Sequence, residues 1–79
     1  MFYYTYILRS SIDNDLYVGW TDDIEERVKK HNSGKVDATR LRKPLDLIYF
    51  EACTNKAKAI AREKYFKTGF GRRFIKNRI

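Results

Sequence analysis

A chain with one cysteine cannot staple itself, and this constrains the present sequence more than any other feature. Cys53 cannot close an internal disulfide and has no His or Cys neighbour at metal-ligand spacing, so a disulfide framework and a structural zinc site are both excluded. The 79 residues must hold together by packing alone, at a size where folding buries only about 60% of the unfolded surface. The composition meets that demand, with 43% hydrophobic and 15% aromatic residues against 34% charged, and no repeat or low-complexity tract. The length admits one domain over residues 1–79. Met1 to Leu8 is too polar and tyrosine-rich for a signal-peptide core, and no stretch approaches the roughly 18 apolar residues of a membrane span. The expectation is a soluble, cytoplasmic protein in a reducing compartment.

Residues Tyr3 to Arg9 and Leu16 to Trp20 are rich in β-branched and aromatic side chains, and the polar Ser10 to Asp15 between them contains Asp and Asn suited to a turn. They read as a hairpin. Alternation places Tyr4, Tyr6 and Leu8 on one face of the first strand, and Tyr17 with Gly19 on one face of the second. A helix is expected next, capped by Thr21 or Asp22 with Glu25 completing a capping box, and stopped at Gly34. A basic loop from Lys35 to Lys43 ends at Pro44. Leu45 to Ala52 reads as a third strand, apolar enough to be central or well covered. Thr54 or Asn55 caps a second helix running to about Lys67, Gly69 and Gly71 break the pattern, and Arg72 to Ile79 adds a last turn or two. The fold class is α+β, a small antiparallel three-stranded sheet flanked by helices in the order β-β-α-β-α-α.

Seventeen Lys and Arg against ten Asp and Glu give a net charge of +7, a field that gathers polyanions. Nucleic acid is the leading partner class, against the blander reading of a basic, solubilised domain. Glu63 is oddly placed for a solvated acid, since Ala59, Ile60 and Phe66 share its side of the helix. It could hold a hard cation such as Mg²⁺, or pair with Lys67 one turn on or with a base across the core. Arg27 and His31 lie one helical turn apart and could grip a phosphate, or serve as a surface ion pair and a helix C-terminal cap. Gly19, inside a strand, marks a bulge or a close approach by backbone or ligand. Most of the six tyrosines are explained by packing.

Taken in order, these residues resemble the GIY-YIG nucleases, in particular small stand-alone members similar to the N-terminal catalytic domain of the excision-repair nuclease subunit. Tyr4-Thr5-Tyr6 stands for the first triplet and Tyr17-Val18-Gly19 for the second. Arg27, His31-Asn32, Thr39, Lys43-Pro44, Tyr49-Phe50-Glu51 and Glu63 follow along nearly the whole chain. Two departures stand out: the first triplet keeps only its final tyrosine, and Trp20 replaces a lysine common in the excision-repair relatives.

The resemblance implies hydrolysis of nucleic-acid phosphodiester bonds, DNA in the first instance, with low sequence specificity and a role in DNA repair or recombination. Glu63 would hold one divalent ion, Mg²⁺ or Mn²⁺, and Arg27 would clamp the phosphate. Tyr6 would take a proton from water with Tyr17 orienting water or phosphate, or His31 would relay that proton, and the residues leave this choice open. Tyr6 needs a nearby cation for the first role, because a phenol ordinarily titrates near 10. Substrate grip would come from Lys35, Arg40, Arg42 and Lys43 in the loop and Arg72, Arg73, Lys76 and Arg78 at the tail, with Gly19 giving close approach. Family members usually draw targeting from a second domain, which implies recognition of a DNA structure, a protein partner or a homodimer. The competing expectations are a nucleic-acid-binding module that does not cut, and a protein-interaction module of a repair assembly.

Overall fold

The computed structural model describes residues 1–79. Strands β1 (Tyr3–Ser10) and β2 (Leu16–Thr21) form the expected hairpin, with Tyr6 opposite Gly19 and Leu8 opposite Tyr17. Its turn is fixed by Asn14 at φ 59° and by the Ser10 hydroxyl, which accepts from the Ile12 amide at 3.1 Å. Helix α1 (Ile24–Asn32) follows, then β3 (Leu45–Cys53), α2 (Lys56–Phe66) and α3 (Gly69–Lys76). The α+β class and the three-stranded antiparallel sheet are as read from the sequence.

The sheet order is β2-β1-β3, so β1 is central and β3 lies at an edge. This corrects the expectation that the apolar Leu45–Ala52 run is central or well covered: Leu47 and Phe50 on it stay 37% and 50% exposed. The covered strand is instead β1, whose residues Thr5 to Leu8 are all buried. Each of its faces meets a separate layer. Tyr6 and Leu8 pack with Leu45, Tyr17, Ile24 and Val28 under α1, while Ile7 packs with Phe66 and Ile75 under α2 and α3. Burying such side chains contributes roughly 1.5 to 3 kcal/mol each, so most of the core is anchored on one strand.

Two helix boundaries also differ from expectation. Asp23, rather than Thr21 or Asp22, caps α1 by accepting from the Glu26 amide at 3.2 Å, because the Thr21 hydroxyl is taken up by the Asp23 amide at 3.1 Å. Asn55 caps α2, one of the two candidates. Gly69 and Gly71 do not end the helical region; they begin α3, behind a Thr68 cap that accepts from the Gly71 amide at 3.1 Å. Gly71 is there because α3 presses on α2: a Cβ at this position would lie 2.6 Å from the Phe66 Cα and closer still to the Tyr65 carbonyl oxygen.

Candidate active site

Tyr6 stands at the middle of the central strand, fully buried, and its hydroxyl is the hub of a hydrogen-bond chain. The Arg27 Nε–H donates to it at 3.2 Å, and the His31 Nε2 lies 2.9 Å away. His31 Nδ1 in turn lies 2.7 Å from the Thr39 hydroxyl. The spacing of four residues on α1 brings Arg27 and His31 to the same atom. His31 and Thr39 are as buried as Tyr6.

The electrostatics decide how this chain is protonated. Burial, reinforced by the Arg27 charge, depresses His31 to about 4, so it is neutral at pH 7 and one ring nitrogen is an acceptor. With Arg27 donating to Tyr6, the consistent arrangement has the Tyr6 O–H donating to Nε2 and the Nδ1–H donating to Thr39. Burial raises Tyr6 above its ordinary value of 10.0, and the opposing hydrogen bond and charge of Arg27 do not overcome it. The cation needed to make a phenolate accessible is therefore present, yet the phenol keeps its proton at neutral pH. Arg27 is itself held more firmly charged, chiefly by its bond to Tyr6.

Gly19 has a specific task in this arrangement. It lies directly across from Tyr6, and a Cβ there would come within 2.5 Å of the phenolic oxygen and 2.6 Å of the ring carbon that bears it. The close approach read from the sequence is thus made by the Tyr6 side chain. Tyr17 is half-buried beside the hub, its ring centroid 4.9 Å from His31 and 6.5 Å from Tyr6.

Glu63 projects from α2, on the other layer, with its side chain 19% exposed. Its negative charge is one of the influences that raise Tyr6, which places it within electrostatic range of the hub. The ion pair with Lys67 exists, at a long 3.8 Å and with the lysine side chain 56% exposed. No group of three or more His, Cys, Asp or Glu side chains converges anywhere, so a closed protein cage of the zinc type is not built. A single, largely shielded carboxylate whose only partner is a half-exposed lysine fits a hard cation that keeps most of its waters.

The remaining candidates divide between surfaces. Lys35, Arg40, Lys43, Arg72 and Arg73 are exposed, and Arg40 and Lys43 both pack around Gly34 at the end of α1. Arg42 is drawn onto Asp13 at the hairpin tip, at 2.8 and 3.3 Å. Arg73 lies over Phe70 and Arg78 over Phe74. Trp20, standing where excision-repair relatives carry lysine, has the Lys56 ammonium 5.3 Å above its ring, so α2 returns a cation to that neighbourhood. Thr39 was marked in the sequence only as part of a link, and its place at the end of the buried chain carried no local signal.

This constellation on a β-β-α-β-α-α fold defines a class, and the chain matches the model of the GIY-YIG catalytic domain over residues 2–77. It belongs to the GIY-YIG family, whose members are generally nucleases dependent on a divalent metal. Its relatives are UPF0213 proteins. One from Clostridium perfringens is 48% identical over 65 residues, spanning 81% of this chain and 69% of its own, and YazA of Bacillus subtilis is 45% identical over 56 residues, spanning 70% and 57%. The solution NMR structure of a UPF0213 protein from Bacillus halodurans matches with a TM-score of 0.60 and 34% identity, covering 98% of this chain and 84% of that one. No helix is long and apolar enough to cross a membrane.

Proposed function

We infer that this protein hydrolyses phosphodiester bonds of nucleic acid, DNA in the first instance, with one Mg²⁺ or Mn²⁺ and little sequence preference. The observation that carries this reading is Arg27. Its Nε is spent on the Tyr6 hydroxyl and it pairs with no carboxylate, so a partly buried guanidinium is held in fixed orientation with its terminal nitrogens uncommitted to any acid. Such a group is a ready partner for a phosphate.

Arg27 clamps the scissile phosphate and opposes the charge that grows on its oxygens. Tyr17, half-exposed beside Arg27, orients the attacking water, because Tyr6 and His31 have no solvent-facing surface. The Tyr6–His31 pair relays a proton inward, the phenol passing its proton to the neutral His31 Nε2 that already accepts from it at 2.9 Å as its oxygen takes one up, and Thr39 holds the ring in that tautomer. Glu63 is the protein ligand for the divalent ion, which when bound neutralises charge on the phosphoryl and leaving oxygens.

A second reading, a nucleic-acid-binding module that does not cut, is favoured by one fact: no group shifted toward neutrality faces solvent here, since Tyr6 is raised and His31 depressed. Cleavage of labelled duplex, flap and single-stranded DNA and RNA with Mg²⁺ or Mn²⁺, run beside Glu63→Ala and an EDTA control, separates the two. Cutting that both controls abolish supports the nuclease. Binding without cutting on every substrate supports the module.

A further inference from the structure

One wide concavity of the molecule contains none of Tyr6, Arg27, His31 or Glu63. It is an open cleft of about 1050 Å³ between the hairpin tip and α3, on the face of the sheet that carries Ile7. Five cations line it, Arg9, Arg42, Lys67, Arg72 and Lys76, against two acids, and one of those acids, Asp13, is already neutralised by Arg42. Its floor is apolar where it meets solvent, at Leu16, Val18 and Ile79, laid over the buried Ile7, Phe66 and Ile75.

One end of the cleft adjoins the candidate site. Tyr17 belongs to its wall, although the Tyr17 ring lies on the opposite face of the sheet, 4.9 Å from His31. Lys67 lines it as well, and its ammonium is the partner of Glu63. A strand lying in the cleft would therefore pass beside Glu63.

Cations on a rim above an apolar floor match one kind of polyanion. A duplex shows its phosphates outward and keeps its bases stacked within, so it has no use for the floor. An unpaired strand offers phosphates and base faces at once. An acidic protein segment would satisfy the cations but would leave the floor uncovered.

We propose that this cleft is the track of an unpaired nucleic-acid strand, with phosphates on Arg9, Arg72 and Lys76 and bases on the apolar floor. The substrate class is then a single strand or a flap, in preference to intact duplex. The inference deepens the nuclease reading and rests on it for the cutting step, but strand binding is measurable without cutting.

The test is fluorescence anisotropy of labelled oligonucleotides in EDTA, using the Glu63→Ala protein so that nothing is cleaved. Arg72→Glu with Lys76→Glu is compared with a control of equal charge change on α1, Lys29→Glu with Lys30→Glu. All four are exposed, so circular dichroism should be unchanged. The single strand should bind about tenfold or more tighter than duplex of the same length, and an abasic strand about fivefold or more weaker than the intact one, as loss of one stacked base implies. The α3 variant should lose about tenfold or more for the single strand, and the control much less. Equal binding of duplex and single strand overturns the inference, as does an α3 variant that binds as well as the control, or an acidic peptide that binds more tightly than the strand. Strand binding lost in the α3 variant of a protein that never cuts would keep the cleft and remove the nuclease. Cutting of single strands unaffected in an otherwise unmodified α3 variant would do the reverse.

Discussion

Acid should weaken this protein through one residue, His31. Its ring is fully buried, sits near the Arg27 guanidinium, and has both nitrogens engaged, by Tyr6 and Thr39. In the unfolded chain it takes up a proton as pH falls through 6.5, whereas in the folded chain it does so only near 4. The depressed folded value means that this part of the stability is complete above pH 6.5, declines from there to 4, and is absent below. Its full size is roughly 3 kcal/mol, of which about 2 kcal/mol is lost between pH 7 and pH 5. Few unperturbed carboxylates titrate in that window, so the loss can be attributed to the ring. Urea unfolding followed by Trp20 fluorescence at the two pH values, with the His31→Gln protein alongside, reads it directly. The unmodified protein should lose about 2 kcal/mol more than the variant, or about 8 to 16 °C in melting temperature. Equal losses in the two proteins would refute the argument, as would an NMR titration placing the His31 ring near 6.5.

Three further outcomes follow from the glycines. Gly19→Ala should displace the Tyr6 hydroxyl from both Arg27 and His31, costing roughly 1 to 3 kcal/mol as overpacking does and abolishing any cleavage, and an unchanged melting temperature would show that the strand yields instead. Gly71→Ala should unfold the protein or cost at least about 3 kcal/mol, because the obstruction is backbone of α2, while Gly69→Ala, which meets nothing within 4 Å, should stabilise by up to about 1 kcal/mol; thermal melts of the pair that agreed would contradict the packing of α3 on α2.

The parts of the fold visible in the sequence are those decided locally. Alternation and turn chemistry between Tyr3 and Trp20 specify a hairpin, and Asn55 announces a helix by its own side chain. The position of β3 is not local: an apolar run looks the same at an edge as at the centre, and here the edge strand also carries Glu51, which is bound bidentately by Arg62 and accepts from Tyr49. Glycine read as a helix breaker misled at Gly71, where the decisive fact is contact with a helix five residues back in the chain. At the candidate site, the sequence suggested that Arg27 and His31 share a helix flank, but the exposures of the residues there were not legible. Tyr6 and His31 read as groups that meet water or phosphate, yet both are core residues, and Thr39, which fixes the tautomer, lies eight positions beyond His31 in a loop. Glu63 was placed correctly on a shielded side of its helix, with the Lys67 pair foreseen as the alternative.

The central position of β1 also bears on how the chain is made. Its neighbours in the sheet begin at Leu16 and Leu45, and the side chains that cover Ile7 come later still, at Phe66 and Ile75. A hairpin of two strands is marginal alone, so the first elements to leave a ribosome have little to hold them until β3 has emerged. The layer over Tyr6 is complete once Leu45 is made, whereas the cover of Ile7 waits for Phe66 and Ile75, so a nascent chain halted before α3 would hold the Tyr6 network on a half-covered strand.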